Sequence, residues 1–150
     1  MYIATTKRLT LAGAKAMMAA ATASAERAGL AISVAIADAG GHLLLLERME
    51  GGRFHTVHSA TAKAVCAASN RRPTGPTGAQ GHALDTNHAI GLALAAGPER
   101  WTAMEGGCPI IVDGECIGGI GIAGGSFEFD DQVAREAVEA IGATWRITAS

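Results

Sequence analysis

The stretch CPIIVDGECIGGIGIAGG, residues 108–125, places two apolar runs on either side of Asp113-Gly114. An Asp-Gly pair supplies the positive φ angles of a two-residue hairpin turn, so the stretch predicts antiparallel strands Pro109 to Val112 and Glu115 to Ile122. Gly118, Gly119 and Gly121 fall inside the second strand. Glycine weakens a strand interior, and there it marks a bulge or a surface that a packed helix or a ligand approaches closely.

The same glycines, continued into GGIGIAGGSFEFDD (residues 118–131), put Gly119, Gly121 and Gly124 on a G-x-G-x-x-G spacing. That pattern seats a pyrophosphate at a helix N-terminus only with an acidic residue about 20 positions on, and residues 141–147, at that distance from Gly124, hold none. Glu128, Asp130 and Asp131 would set three carboxylates where phosphate belongs, so a nucleotide is not expected. The turn at Gly124, Gly125 and Ser126 instead offers backbone N–H groups suited to a small carboxylate or a carbonyl oxygen. Asp130 or Asp131 is expected to cap a final helix, whose apolar face is Ala134, Ala137, Val138, Ile141 and Trp145.

Working outward, residues 10–28 carry Leu11, Ala14, Met18, Ala21 and Ala25 at helical spacing, and Gly29 supplies the stop. Lys15 interrupts the apolar zone, which argues for an amphipathic helix over a secretory signal and for a cytoplasmic protein. AISVAIADAGGHLLLLERM then reads as a hairpin, Ile32 to Asp38 and His42 to Met49. The run Leu43 to Leu46 is apolar throughout, which predicts cover on both faces of the sheet. His55 to Ser69 follows as a helix with a stripe of small residues, Ala60, Thr61, Ala64 and Ala67/Ala68 beside Val57, permitting close approach. NRRPTGPTGAQG, residues 70–81, must be a loop, and its length makes it a candidate functional loop. A short alanine-rich helix from about Leu84 to Ala95 ends at Gly97-Pro98.

This order, α, ββ, α, loop, short α, ββ, α, defines an α/β (α+β) chain with an antiparallel sheet flanked by helices. With 150 residues, 49% of them hydrophobic, residues 1–150 form one domain with material for a real core. A net charge of −2 gives no basic field for nucleic acid, and no apolar run approaches a membrane span. Cys66, Cys108 and Cys116 have neither CxxC spacing nor an even count, so they read as reduced core or strand residues.

The opening LTLAGAKAMMAAA, the block VAIADAGGHLLLLERMEG, the AxxAxAKA helix, the RPT loop and GGCPIIVDGECIGGIGIAGGSFEFDDQVAREA together resemble the GlcG/HbpS family of small haem-binding or haem-degrading-type domains, related to the C-terminal domain of PduO-type proteins. The resemblance spans nearly the whole chain. It implies a profilin-like fold, homo-oligomers and a small-ligand site, with haem as the ligand in some members. The axial histidine described near the N-terminal helix of haem-binding members has no counterpart, because no histidine precedes His42. Met17, Met18 and Tyr2 are alternative iron ligands by chemistry.

Candidate chemistry concentrates in the middle of the chain. His55 and His58, three apart on one helix face, read as acid/base groups or, with His82 or His88 and Asp85, as ligands of a divalent metal. Lys63 is the one cation of its helix and, with Arg48 and Arg71-Arg72, is a candidate carboxylate anchor, since a guanidinium grips a carboxylate with two hydrogen bonds. Glu128 is a candidate general acid or base beside Gly124, Gly125 and Ser126. Phe54, Phe127 and Phe129 would line a small apolar pocket. Two functions remain open: a binding module for haem, another tetrapyrrole or a small catabolic metabolite at an oligomer interface, or a cofactor-free lyase or isomerase acting on a carboxylate-bearing intermediate.

Overall fold

A computed structural model describes residues 1–78 and 80–147 of the chain. Four helices and four strands follow in the order α1 (Leu11–Ala28), β1 (Ser33–Asp38), β2 (Leu43–Arg48), α2 (His55–Asn70), α3 (Thr86–Ala96), β3 (Gly107–Val112), β4 (Glu115–Ala123) and α4 (Phe127–Ala140). The strands form one antiparallel sheet in the order β2-β1-β4-β3. Asp113 (φ 49°) and Gly114 (φ 79°) both take the left-handed region at the β3–β4 turn, as the Asp-Gly pair requires.

Strand alternation sorts large side chains from small ones. Val34 and Ile36 of β1, Ile120 and Ile122 of β4, and Cys108 and Ile110 of β3 pack with Met17, Met18 and Ala21 of α1 and Val133, Ala134, Ala137 and Val138 of α4. Ala35, Ala37 and Ala123 point the other way, onto Ala60 and Ala64 of α2. The strand glycines serve this second face: a Cβ added at Gly119 would overlap the Ala64 carbonyl, and one at Gly121 the Ala60 carbonyl. The body that approaches these glycines is therefore the backbone of α2, not a ligand.

Three local expectations are corrected. Leu43 and Leu46 are exposed, because β2 is an edge strand with only partial cover, and Leu44 and Leu45 alone lean on the core. On α1 it is Met17, not Leu11, that joins Ala14, Met18, Ala21 and Ala25 in the buried stripe. The last helix begins earlier than expected: the Ser126 hydroxyl accepts from the Phe129 N–H at 3.2 Å and caps α4, which frees Asp130 to turn inward. No helix among the described residues is long and apolar enough to cross a membrane.

The long loop is ordered by its own bonds. Gly78 N–H donates to the His82 carbonyl, Leu84 N–H to the Pro76 carbonyl, and Thr77 bridges Ala83. Thr74 ties it to β3, exchanging its N–H for the Gly107 carbonyl at 3.0 Å while its hydroxyl accepts from Gly107 N–H at 2.8 Å. Trp101 and Thr102 are buried just upstream of β3.

Candidate functional site

A cleft of about 790 Å³ opens at the β3 edge of the sheet where three distant segments meet. The end of α2 and its loop contribute Arg71, Arg72 and Thr74; α4 contributes Asp131 and Arg135; the C-terminal segment contributes Trp145 and Arg146. That segment is held beside β3 by a two-way bridge between Ile111 and Thr144. The volume lies in the range of small-molecule sites.

Four guanidinium groups face two carboxylates there, Glu105 and Asp131. Among the described residues none of the four forms an ion pair. Arg135 and Arg146 lie over the indole of Trp145, with their guanidinium carbons 4.4 and 4.1 Å from the ring centroid. A guanidinium stacked in this way is held by its face while its N–H fork stays available in plane. Arg71 sits in the left-handed region (φ 58°) at the C-terminus of α2, a place glycine takes without steric cost.

Behind the cleft lies a buried ion pair. Lys63 Nζ donates to the Ile122 carbonyl at 2.7 Å and stands 3.5 Å from Asp130 Oδ2, with both side chains almost wholly buried. Asp130 also accepts from Gly125 N–H at 3.0 Å, and its neighbour Asp131 accepts from Gly106 N–H at 2.8 Å. Burial pushes the Lys63 ammonium below its ordinary pKa, against the pull of Asp130, and burial likewise raises Asp130. Asp131 is raised by burial, with Gly106 N–H and Arg135 pulling it back.

The expected site residues are therefore dispersed. Arg72 lines the cleft. Lys63 spends its charge on the chain's own Asp130 and Ile122 rather than on an outside carboxylate. Arg48 stands exposed on β2, at the opposite edge of the sheet, and donates to the Gly52 carbonyl. At the Gly124-Gly125-Ser126 turn the Gly125 N–H is taken by Asp130 and Ser126 caps α4. Glu128 is exposed in the first turn of α4, on a groove that shares Asp131 and Arg135 with the cleft.

His55 and His58 begin α2, far from its arginine end. His58 Nδ1 pairs with Glu99, and the His55 ring meets Phe54 edge-on. His82 and His88 border a different cleft of about 420 Å³, with Leu84, Leu92 and Trp101. No group of three His, Cys, Asp or Glu side chains converges for a metal ion among the described residues. Met17 and Met18 are core, and Tyr2 is exposed. Phe54 and Phe127 are exposed and Phe129 packs on the main core, so they do not frame a shared pocket. Arg135 and Arg146 were not singled out from the sequence; the one signal for them was an Arg-Trp neighbour pair, Trp145-Arg146, close to the end of the chain.

An antiparallel four-stranded sheet, with one helix against its small-residue face, two against its aliphatic face and an arginine-lined cleft at its edge, defines a small α+β domain. The chain belongs to the HbpS-like family, whose description is haem degrading protein HbpS-like and whose match runs over residues 9–139. It is similar to Protein GlcG of Escherichia coli K12, at 36% identity over 73% of this chain and 77% of that protein. Among solved structures it resembles Klebsiella pneumoniae protein ORFY, with TM-score 0.81, 28% identity, and 95% and 97% of the two chains covered. It also resembles PduOC in its complex with heme, with TM-score 0.80, 27% identity, and 93% and 99% covered.

Proposed function

We propose that this chain is a small-ligand-binding domain whose ligand is anchored by carboxylates in the arginine-lined cleft. The observation that carries this reading is the convergence of Arg71, Arg72, Arg135 and Arg146 on one cleft with no ion pair among the described residues. Arginine forks match carboxylate geometry, and a cleft wall keeps them from the full screening of bulk water.

Haem, held by the PduOC neighbour, is the first molecule to test. Its propionates suit the guanidinium groups. Its iron finds no partner there, since no histidine, cysteine, methionine or tyrosine lines the cleft among the described residues. The donor set of this cleft therefore does not fit ligated haem, and His82 and His88 stand in a separate cleft.

An absorbance titration with hemin decides the point. A Soret shift saturating at one haem per chain and lost in His82→Ala or His88→Ala places haem in the second cleft; no specific shift leaves carboxylate-bearing metabolites. The binding reading is overturned if neither hemin nor any carboxylate binds saturably.

A second reading, a cofactor-free lyase or isomerase, is favoured by one feature: Asp131, a carboxyl raised above its ordinary pKa, lies among the arginines. Turnover of a carboxylate substrate abolished by Asp131→Asn, with binding retained, would establish it.

We also propose a homo-oligomer. Helix α3 buries none of its residues although it is the most apolar helix of the chain, with Leu94 77% exposed. Light scattering of the purified protein, compared with Leu94→Glu, tests it: a monomer in the wild type refutes the proposal.

A further inference from the structure

Building on the carboxylate-anchored reading, we infer that the occupant of the arginine-lined cleft is a small dianion with an oxyanion group at each end, held between two arginine pairs on different elements. Arg71 and Arg72 come from the end of α2, and Arg135 and Arg146 from α4 and the segment after it. Among the side chains that line the cleft, four positive charges against the carboxylates of Glu105 and Asp131 leave an excess of two, which a dianion neutralises and a monoanion does not; Glu139, outside the lining, accepts from the Trp145 indole N–H at 3.2 Å.

Two features make the cleft selective for a compact ligand. The indole of Trp145 already carries two guanidinium groups at 4.4 and 4.1 Å, so it orients arginines rather than stacking a planar macrocycle. The loop wall is pre-formed, with Thr74 bonded in both directions to Gly107, so the α2 pair is presented without an ordering step. The left-handed Arg71 fits this reading, because a residue kept where glycine is favoured has a use for its side chain.

The experiment is a calorimetric titration of the full chain with succinate, acetate and inorganic sulfate, alongside tryptophan fluorescence in a Trp101→Phe background that leaves Trp145 as the emitter. Succinate is expected to bind at least about tenfold more tightly than acetate, since two charge-assisted contacts replace one, and sulfate, a dianion with a single centre, is expected to fall between them. Arg72→Gln and Arg135→Gln are each expected to weaken succinate about tenfold, on the same charge-assisted basis. Arg27→Gln, on α1 and away from the cleft, should change nothing. Thermal melts confirm that each variant is folded. Equal affinity for acetate and succinate, or indifference to both cleft variants, overturns the inference. If hemin binds saturably and is weakened by Arg72→Gln while no small dianion binds, the dianion inference fails and the carboxylate-anchored reading stands. If nothing is weakened by either cleft variant, both fail.

Discussion

The two faces of the sheet are built to opposite specifications. One is thick, with isoleucine, valine and methionine interdigitating between α1, α4 and the strands. The other is thin: alanines and glycines let the α2 backbone lie almost against β4. A thick face tolerates a lost methylene because its neighbours can partly relax, whereas the thin face has backbone on both sides and nothing flexible to move. From the thin face Lys63 of α2 reaches Asp130 of α4 in the only buried ion pair among the described residues, and α2 leads at its end into the arginine cleft. Site and scaffold are thus coupled through α2.

Breaking the thin face should cost most. Lys63→Ala leaves Asp130 buried with only the Gly125 N–H to its carboxylate and an empty ammonium site, and a loss of about 3–5 kcal/mol is expected in urea denaturation. The double change Lys63→Met with Asp130→Asn should recover much of that loss, since removing both charges removes the penalty of an unpaired one. If the double variant is no better than Lys63→Ala alone, the pair is not the cause.

Gly121→Ala should follow at about 3 kcal/mol, because the added methyl meets the Ala60 carbonyl and the helix must shift. Ile36→Val, its counterpart on the thick face, should cost only about 1 kcal/mol. Equal costs for these two substitutions would erase the distinction between the faces.

A pH series sharpens the comparison at the cleft. The Asp131 pKa is raised in the folded chain, so as pH falls Asp131 takes up its proton earlier than an exposed carboxyl and the cleft gains positive charge. Sulfate stays doubly charged where a raised carboxyl titrates, so its affinity should rise as pH drops through that raised value, and Asp131→Asn should flatten the rise. For folding the sign is also determined: a carboxyl with a raised folded pKa favours the folded state most below its unfolded pKa near 3.8, and that contribution is lost as pH climbs through the folded value.

The smallest effect is expected at Arg71→Gly. Relief of the left-handed backbone should raise stability by at most about 1 kcal/mol, while succinate affinity falls. Gain of stability without loss of affinity would make Arg71 a bystander of the cleft.

The hairpin at Asp113-Gly114, the small stripe of α2 and the strand glycines were all readable in the chain, because each is a local rule about turns, periodicity or the absence of a Cβ. The sheet and its flanking helices follow from them. The family resemblance, carried by the same blocks, agrees with the HbpS-like match over residues 9–139. The partners of the charged groups were not readable. Lys63 meets Asp130, and Arg71 and Arg72 line one cleft with Arg135 and Arg146, across separations over which sequence spacing says nothing about distance. Histidine spacing pointed to the start of α2, yet the cleft formed at its other end, where three segments come together only after the sheet has closed. Turns and amphipathic periods are properties of a few consecutive residues, while burial and charge pairing belong to the assembled chain, and that physical difference separates what the residues alone determined from what packing decided.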